Sequence, residues 1–255
     1  MKSVLVIWTL LAAISVNNIH GGKRKFRPLL EPRIFSGRTA AKGQFPYQVL
    51  VIRENGTLIF ICGGSILSRD HILTAAHCVD KAKRTPELLT VYAGTIYFMS
   101  GGVEKRVSRV IVHPAYVNYN NDIAVLKLNS SLKFNSVINY IPLAKANIPD
   151  GAPVIVSGWG QVNKTDISPV LQYNTEYSMS RAQCVRRVYR LGDAMRCMRR
   201  PVGHGICHGD SGGPAAHKGE LVGVNSYILG DCGLGYPDVF TDVVATREWI
   251  IKNMK

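Results

Sequence analysis

The chain has 255 residues, 46% of them hydrophobic, and its 31 lysines and arginines exceed its 17 acidic residues to give a formal charge of +14. This length allows one large domain or two small ones, with a core that needs no metal to stabilise it. A membrane-spanning helix needs about 20 consecutive apolar residues, and no segment supplies them. We therefore expect no transmembrane anchor.

The N-terminal segment MKSVLVIWTLLAAISV joins one lysine to a short apolar run and is followed by Asn17 and Asn18. This pattern is typical of a secretory signal peptide, which we place at residues 1–20. The alternative is a buried N-terminal strand or helix. Residues 21–33, GGKRKFRPLLEPR, are basic and contain proline without periodicity, which predicts a linker or pro-segment.

Six cysteines follow the leader: Cys62, Cys78, Cys184, Cys197, Cys207 and Cys232. In a secreted chain an even number of cysteines predicts disulfides, although six cysteines allow about 15 pairings and the sequence alone does not choose among them. No CxxC pair suggests a zinc site. We predict no metal and no cofactor.

Short runs of β-branched and apolar residues occur from Ile34 onward, separated by Gly, Asn, Asp and Pro. They include YQVLVI, TLIFICGGSIL, RVSRVIVH, IAVLKL and APVIVSGWG. This spacing predicts an all-β, antiparallel sandwich or barrel. Two helices are expected, a short one at residues 180–190 with Ser180 as its cap and another at residues 246–255.

Three separate motifs place side chains suited to nucleophilic catalysis. LTAAHCVD contains His77, NNDIAVLKL has Asp122 as its third residue, and the glycine-rich stretch HGICHGDSGGP contains Ser211. Each motif alone has an ordinary interpretation as a structural histidine, a turn aspartate or a surface turn. Together they supply the base, the orienting carboxylate and the hydroxyl that a serine nucleophile requires.

The chain resembles the chymotrypsin family of serine peptidases over nearly all of residues 34–255. The segments that carry this resemblance are TAAHC, NNDIAVLKL, GWG, CHGDSGGP and GYPDVF. The resemblance implies two six-stranded antiparallel β-barrels packed together, with a short intermediate helix, a C-terminal helix and an active site between the barrels. It also implies three disulfides, which pair Cys62 with Cys78, Cys184 with Cys197, and Cys207 with Cys232.

The resemblance implies a role for each catalytic residue. His77 would take the proton of Ser211 as the hydroxyl attacks a peptide carbonyl, and Asp122 would hold the imidazole tautomer. The backbone N–H groups of Gly209 and Ser211 would bind the oxyanion, because glycine permits the backbone conformation and the close approach.

An activation mechanism is implied by PRIFSG, which stands where relatives begin their mature chain. Cleavage after Arg33 by an activating protease would free the α-ammonium group of Ile34 to pair with Asp210, which otherwise lacks a partner beside the nucleophile. Residues 21–33 would then be the activation pro-segment and residues 34–255 the peptidase domain. Phe35 and Ser36 depart from the usual start of the mature chain.

The predicted substrate pocket combines opposing features. Gly205 occupies the position, six residues before the nucleophile, where relatives that cleave after Lys or Arg carry an aspartate. Ile206 is apolar, whereas Asp238 stands where many relatives have a glycine. This pattern resembles brachyurins and insect chymotrypsin-like enzymes. Ser226, Tyr227 and Ile228 would line the pocket, and Ile228 would narrow its mouth.

We therefore predict cleavage after hydrophobic residues such as Leu, Phe or Tyr, with trypsin-like or mixed specificity through Asp238 as the alternative. Burial beside Ile206 would raise the cost of keeping the Asp238 carboxylate ionised. A different class of function is a protease-like protein that binds without catalysis. That class usually lacks one of the catalytic side chains, and this chain retains all of them.

Seven arginines against one aspartate lie between Arg181 and Arg200. This segment is either a solvated basic face or a patch for an acidic polymer, a membrane or an acidic substrate. No nucleic-acid-binding module is recognised, so nucleic acid is not a favoured partner. The expected protein is a secreted, extracellular monomer that acts on protein or peptide substrates and can be bound by protein inhibitors.

Overall fold

A computed structural model describes residues 13–15, 37–163 and 165–255, and it is mostly β-structure. The strands in chain order are β1 (Ala13–Ser15), β2 (Arg38–Thr39), β3 (Gln48–Asn55), β4 (Leu58–Ile66), β5 (His71–Thr74), β6 (Leu89–Ala93), β7 (Val103–Val112), β8 (Ala124–Leu128), β9 (Pro153–Gly158), β10 (Gln172–Ser178), β11 (Met195–Arg199), β12 (Pro214–His217), β13 (Glu220–Tyr227) and β14 (Asp238–Asp242). The helices are α1 (Ala76–Val79), α2 (Arg181–Val185) and α3 (Val243–Lys252), with 3₁₀ turns at Asp80–Ala82 and Pro86–Leu88.

The strands form two closed antiparallel barrels of six strands each, as predicted. In the first barrel the order is β4-β3-β6-β7-β8-β5, and β5 pairs with β4 to close it. In the second barrel the order is β11-β14-β13-β12-β9-β10, and β10 pairs with β11. Strand β1 adds to β4, and β2 adds to β10. Both barrels are therefore closed without β1, which lies inside the predicted signal peptide.

The alternation of side chains along β3 explains how the two barrels pack together. Val49 and Val51 belong to the core of the first barrel. Leu50 and Ile52 point to the other face of the strand and pack in a second cluster with Trp159 from the second barrel. Both faces of β3 are therefore buried, and the strand holds one barrel against the other.

Both predicted helices exist, with shifted ends. Helix α2 has the predicted cap, because the Ser180 hydroxyl accepts a hydrogen bond from the backbone N–H of Gln183 at 3.3 Å, but α2 ends at Val185. Helix α3 begins three residues before the predicted start, because the Asp242 side chain accepts hydrogen bonds from two backbone N–H groups of the first turn. Within the described ranges, no helix combines the length and apolar character of a membrane span.

Three disulfides join the cysteine pairs that the resemblance implied: Cys62–Cys78, Cys184–Cys197 and Cys207–Cys232. The first links β4 to α1, the second links α2 to β11, and the third links the segment before Ser211 to the loop before β14. The first therefore fixes the helical turn that carries His77, and the third fixes the segment that precedes Ser211.

Candidate active site

His77 and Asp122 form a two-point pair at the inner edge of the first barrel. The imidazole Nδ1 of His77 lies 2.7 Å from Oδ2 of Asp122, and the backbone N–H of His77 donates to Oδ1 at 2.9 Å. His77 stands in the single turn of α1 after β5, and Asp122 lies just before β8, the strand that pairs with β5. The pairing of these two strands therefore brings the histidine and the carboxylate together.

The second barrel also holds Asp122 in place. The Ser226 hydroxyl, on β13, donates to Oδ2 of Asp122 at 2.6 Å, and the Thr241 hydroxyl, on β14, donates to its backbone carbonyl at 2.7 Å. The Asp122 side chain is completely buried. Sequence reasoning placed Ser226 in the substrate pocket, and the structure adds its hydrogen bond to this buried carboxylate.

The loop that carries Ser211 is tied to the same part of the first barrel. The backbone N–H of Gly63 donates to the carbonyl of Ser211 at 2.7 Å, and the adjacent Cys62 is joined by its disulfide to Cys78, the neighbour of His77. Ser211 itself is half-buried. The backbone of β4 thus brings the serine and the histidine, 134 positions apart in the chain, to one site.

Glycines on either side of Ser211 are required by backbone conformation and by space. Gly209 has φ +96° and Gly212 has φ +78°, values that L side chains rarely adopt. A Cβ at Gly212 would overlap the Thr74 hydroxyl and the carbonyl of Gly63. The conformation of the Ser211 loop therefore depends on these two glycines.

The electrostatics of His77 suit a general base. Burial alone would lower the pKa of His77, but the charge of Asp122 and the hydrogen bond to it, with a contribution from Asp80, raise the pKa above the ordinary histidine value. Among the described residues, no hydrogen bond joins His77 to the Ser211 hydroxyl. Such catalytic hydrogen bonds often tighten only when substrate is bound.

An aromatic pair borders the histidine. Tyr119 lies 5.4 Å from the His77 ring and 5.7 Å from the ring of Tyr227, measured between centroids. Tyr119 has φ +64°, and its neighbour Asn118 has φ +46°, so this loop holds an unusual conformation. The sequence analysis did not identify Tyr119. Its position three residues before Asp122 could have indicated that it lies near the catalytic candidates.

Asp210, next to Ser211, is a buried carboxylate held by backbone groups. Oδ1 accepts from the N–H of Gly160 at 2.8 Å, and Oδ2 accepts from the N–H of Cys207 at 2.9 Å. A Cβ at Gly158 or Gly160 would overlap this carboxylate, which explains both glycines of the GWG motif. Burial raises the pKa of Asp210 to about 7, and none of the ion pairs in residues 37–163 and 165–255 involves it. The predicted partner, Ile34, and the preceding Arg33 lie outside the described residues.

The predicted pocket residues lie on the two segments next to this site. Gly205 and Ile206 precede the Ser211 loop and are buried, with Ile206 only 3% exposed. On β13 and just beyond it, Ser226 is buried, whereas Tyr227 and Ile228 are half-buried. These positions are consistent with the walls of one pocket.

Asp238, the acid of the predicted pocket, faces another protein side chain. Its carboxylate forms a two-point ion pair with Arg200: Nη2 donates a hydrogen bond to Oδ1 at 2.8 Å, and Nε lies 2.7 Å from Oδ2 without the geometry of a hydrogen bond. The backbone N–H of Ile206 also donates to it at 3.2 Å. Sequence reasoning missed Arg200 as a pocket residue because it stands at the end of an arginine-rich segment.

Glu176 is a second buried acid beside Asp238, and the sequence analysis did not identify it. It lies on β10 and is completely buried beside the Asp238 carboxylate. Burial first, and then the neighbouring Asp238 carboxylate, raise the pKa of Glu176 well above its ordinary value. Burial also raises the pKa of Asp238, to about 6, so the two neighbouring carboxyl groups resist being ionised together.

The basic segment from Arg181 to Arg200 is only partly a solvated face. Three of its arginines are paired, since Arg181 contacts Asp193, Arg196 contacts Asp242, and Arg200 contacts Asp238. The remaining four are not in these ion pairs: Arg186, Arg187, Arg190 and Arg199. Only Arg196 and Arg200 are thus withdrawn from the surface into mostly buried pairs, because the pair of Arg181 with Asp193 is exposed.

One group of possible metal ligands occurs among the described residues, formed by Cys62, His77 and Cys78. Both sulfurs belong to the disulfide. They therefore offer no thiolate to a metal ion.

Comparison with known proteins gives a consistent result. Residues 34–250 match the family model described as Trypsin. The chain is 38% identical over 239 residues to serine protease SP24D of Anopheles gambiae, covering 92% of this chain and 86% of the relative. It is 39% identical over 234 residues to both trypsin delta and trypsin gamma of Drosophila melanogaster, covering 89% of this chain and 90% of each relative.

Proposed function

Because the chain belongs to the trypsin family and is a serine endopeptidase, we propose that its catalytic triad consists of His77, Asp122 and Ser211. The observation that carries this assignment is the two-point pairing of His77 with a completely buried Asp122, beside the serine loop. A buried carboxylate that accepts from Nδ1 leaves Nε2 free to act as the base.

The reaction proceeds through an acyl-enzyme. The Ser211 hydroxyl attacks the carbonyl carbon of the peptide bond while its proton passes to Nε2 of His77. Asp122 stabilises the imidazolium that forms, and His77 then gives the proton to the leaving amine. Water, activated by the same histidine, hydrolyses the ester and restores Ser211.

The oxyanion is bound by the backbone N–H groups of Gly209 and Ser211. The positive φ of Gly209 supports this role, because residues that carry a Cβ rarely adopt this backbone conformation. Loss of one such donor in an enzyme of this kind costs about 3 to 4 kcal/mol of transition-state stabilisation.

The enzyme is made as a zymogen and activated by a protease that cleaves after Arg33. Asp210 supports this step, because it is buried and has no cation among the described residues. The new ammonium group of Ile34 would provide that cation, and pairing would fix the loop that carries Gly209 and Ser211.

The protein is secreted and extracellular, with residues 1–20 as the signal peptide. Three disulfides support an oxidising compartment. Its partners are protein or peptide substrates, the activating protease and protein inhibitors.

Cleavage occurs after hydrophobic residues. The ion pair of Asp238 with Arg200 favours this preference over the trypsin-like alternative, because it leaves the Asp238 side chain with no exposed surface. Two of the relatives are named trypsins, which is the reason to test basic substrates alongside apolar ones.

The activation step is tested with Arg33→Gln. This substitution removes the arginine after which the activating protease cleaves and leaves residues 37–255 unchanged. The wild-type protein treated with a protease that cleaves after arginine should gain peptidase activity, and Arg33→Gln treated in the same way should not. Mass spectrometry of the N-terminus must find Ile34 in the active sample. Full activity of the uncleaved variant would refute the activation mechanism.

A further inference from the structure

The side chain of Arg200 lies against the pocket segment. Arg200 follows β11, and 1% of its side chain is exposed. A Cβ placed at Gly205 would overlap Cδ and Nε of Arg200, and the Gly205 φ of +113° is also unfavourable for other residues. Gly205 is thus required where it stands, because the arginine occupies the space that a side chain there would fill.

The cluster beneath Gly205 already contains a buried cation without a substrate. It contains one guanidinium, on Arg200, and two carboxyl groups, on Asp238 and Glu176, all of them buried. The guanidinium and the Asp238 carboxylate lie in direct contact and neutralise one another. A second cation brought into this space would meet Arg200 and would have to displace it from a buried two-point ion pair, which is costly.

The mouth of the pocket restricts size as well. Ile206, with 3% of its surface exposed, and the half-buried branched side chain of Ile228 pack in one apolar cluster, and we assign Ile228 to the pocket mouth. A side chain that passes Ile228 would then reach Gly205, behind which the arginine fills the available volume.

We propose that Arg200 is a specificity-determining residue that plugs the floor of the substrate pocket and keeps Asp238 out of reach of substrate. This inference rests on the proposed peptidase function and on the pocket assignment. The shallow, uncharged pocket accepts Ala, Val or Leu before the cut bond and excludes both Lys or Arg and the large rings of Phe or Tyr. Aromatic residues are therefore poorer substrates than the general hydrophobic preference implies.

The wild-type test uses processed enzyme and matched peptide amides that differ only in the residue before the cut bond. We expect kcat/KM for Val or Leu to exceed that for Phe at least about fivefold and that for Lys at least about tenfold, the latter being about 1.4 kcal/mol. A preference for Phe would overturn the shallow floor, and a preference for Lys would overturn the shielding of Asp238.

The plug is tested directly by the double variant Arg200→Ala with Glu176→Gln. It removes the guanidinium and one of the two acids, so Asp238 becomes the charge at an open floor. The ratio of kcat/KM for Lys to that for Leu should rise at least tenfold. Arg199→Ala is the matched control, since Arg199 is exposed and adjacent in sequence; it should leave the ratio unchanged. An unchanged ratio in the double variant, with normal labelling of Ser211, would refute the proposal.

A measurement on the wild-type protein covers the case in which the double variant does not fold. Fluorescent p-aminobenzamidine carries an amidinium that must reach an acidic pocket floor to bind. Millimolar probe should show no saturable binding to the processed protein, and tight binding would overturn the proposal whether or not the protein is active. Absence of both peptide hydrolysis and Ser211 labelling would instead refute the proposed catalytic triad.

Discussion

Asp122→Asn is the substitution that tests the histidine pair most sharply. Oδ2 of Asp122 accepts from both His77 Nδ1, at 2.7 Å, and the Ser226 hydroxyl, at 2.6 Å, while Oδ1 accepts from the His77 backbone at 2.9 Å. An asparagine that keeps its oxygen toward the backbone N–H must present its NH₂ group to Nδ1. The imidazole then carries its proton on Nε2 and cannot accept the proton of Ser211.

The expected loss in kcat is about 10⁴-fold, the effect of the wrong tautomer in a related catalytic triad, which corresponds to about 5.5 kcal/mol. Ser226→Ala is the matched control. It removes one of the three hydrogen bonds to the carboxylate but leaves both contacts to His77, so the loss should stay within about tenfold, about 1.4 kcal/mol.

Both variants are assayed after activation with the best peptide amide of the wild-type enzyme, and thermal unfolding confirms that they fold. The reasoning is refuted if folded Asp122→Asn retains more than about a tenth of wild-type kcat. It is also refuted if Ser226→Ala loses as much activity as Asp122→Asn, because the effect would then not come from the imidazole tautomer.

Further outcomes follow from the pKa shifts and the disulfides. Because Asp122 raises the pKa of His77 and the base must be neutral, kcat/KM should increase with pH through a limb above the ordinary histidine value of 6.5, and a limb below it would contradict the pairing. Burial raises the pKa of Asp210 to about 7, above its unfolded value; its protonated form therefore favours folding at acid pH, and this contribution is lost as pH rises through about 7. The Arg33→Gln precursor should accordingly lose more melting temperature between pH 4 and pH 8 than the processed enzyme, and equal losses would count against a new cation beside Asp210. Replacing Cys184 and Cys197 together by serine should reduce the free energy of unfolding in urea by about 2 to 4 kcal/mol with kcat retained, and a large loss of kcat would show that this disulfide supports the active site.

Much of the fold could be predicted from local sequence patterns. Five strands were visible because apolar and β-branched residues dominate them, and the motif resemblance supplied the arrangement into two barrels. Strand β10 was not among the predicted segments, because its sequence QYNTEYS is mostly polar and includes Glu176, which the barrel nevertheless buries completely. Its burial depends on neighbours from β9 and β11, which a local pattern does not contain.

The three proposed catalytic residues could be identified from their motifs, whereas the ion pair of Asp238 with Arg200 could not. Asp238 was visible in GYPDVF, but its partner is 38 positions away in a segment whose composition suggests a solvated basic face. A sequence pattern does not tell which arginine of RCMRRP turns inward. The glycine at position 205 was a usable signal, because its missing side chain leaves room for Arg200.

Labelling with a serine-directed fluorophosphonate tests the central claim most directly. After cleavage behind Arg33, one equivalent should attach to the protein, peptide mapping should locate it on Ser211, and peptidase activity should fall in proportion. Ser211→Ala should take up no label while retaining the wild-type circular dichroism spectrum. Attachment to another residue, or hydrolysis by Ser211→Ala at a rate near that of the wild type, would contradict the assignment of Ser211 as the nucleophile.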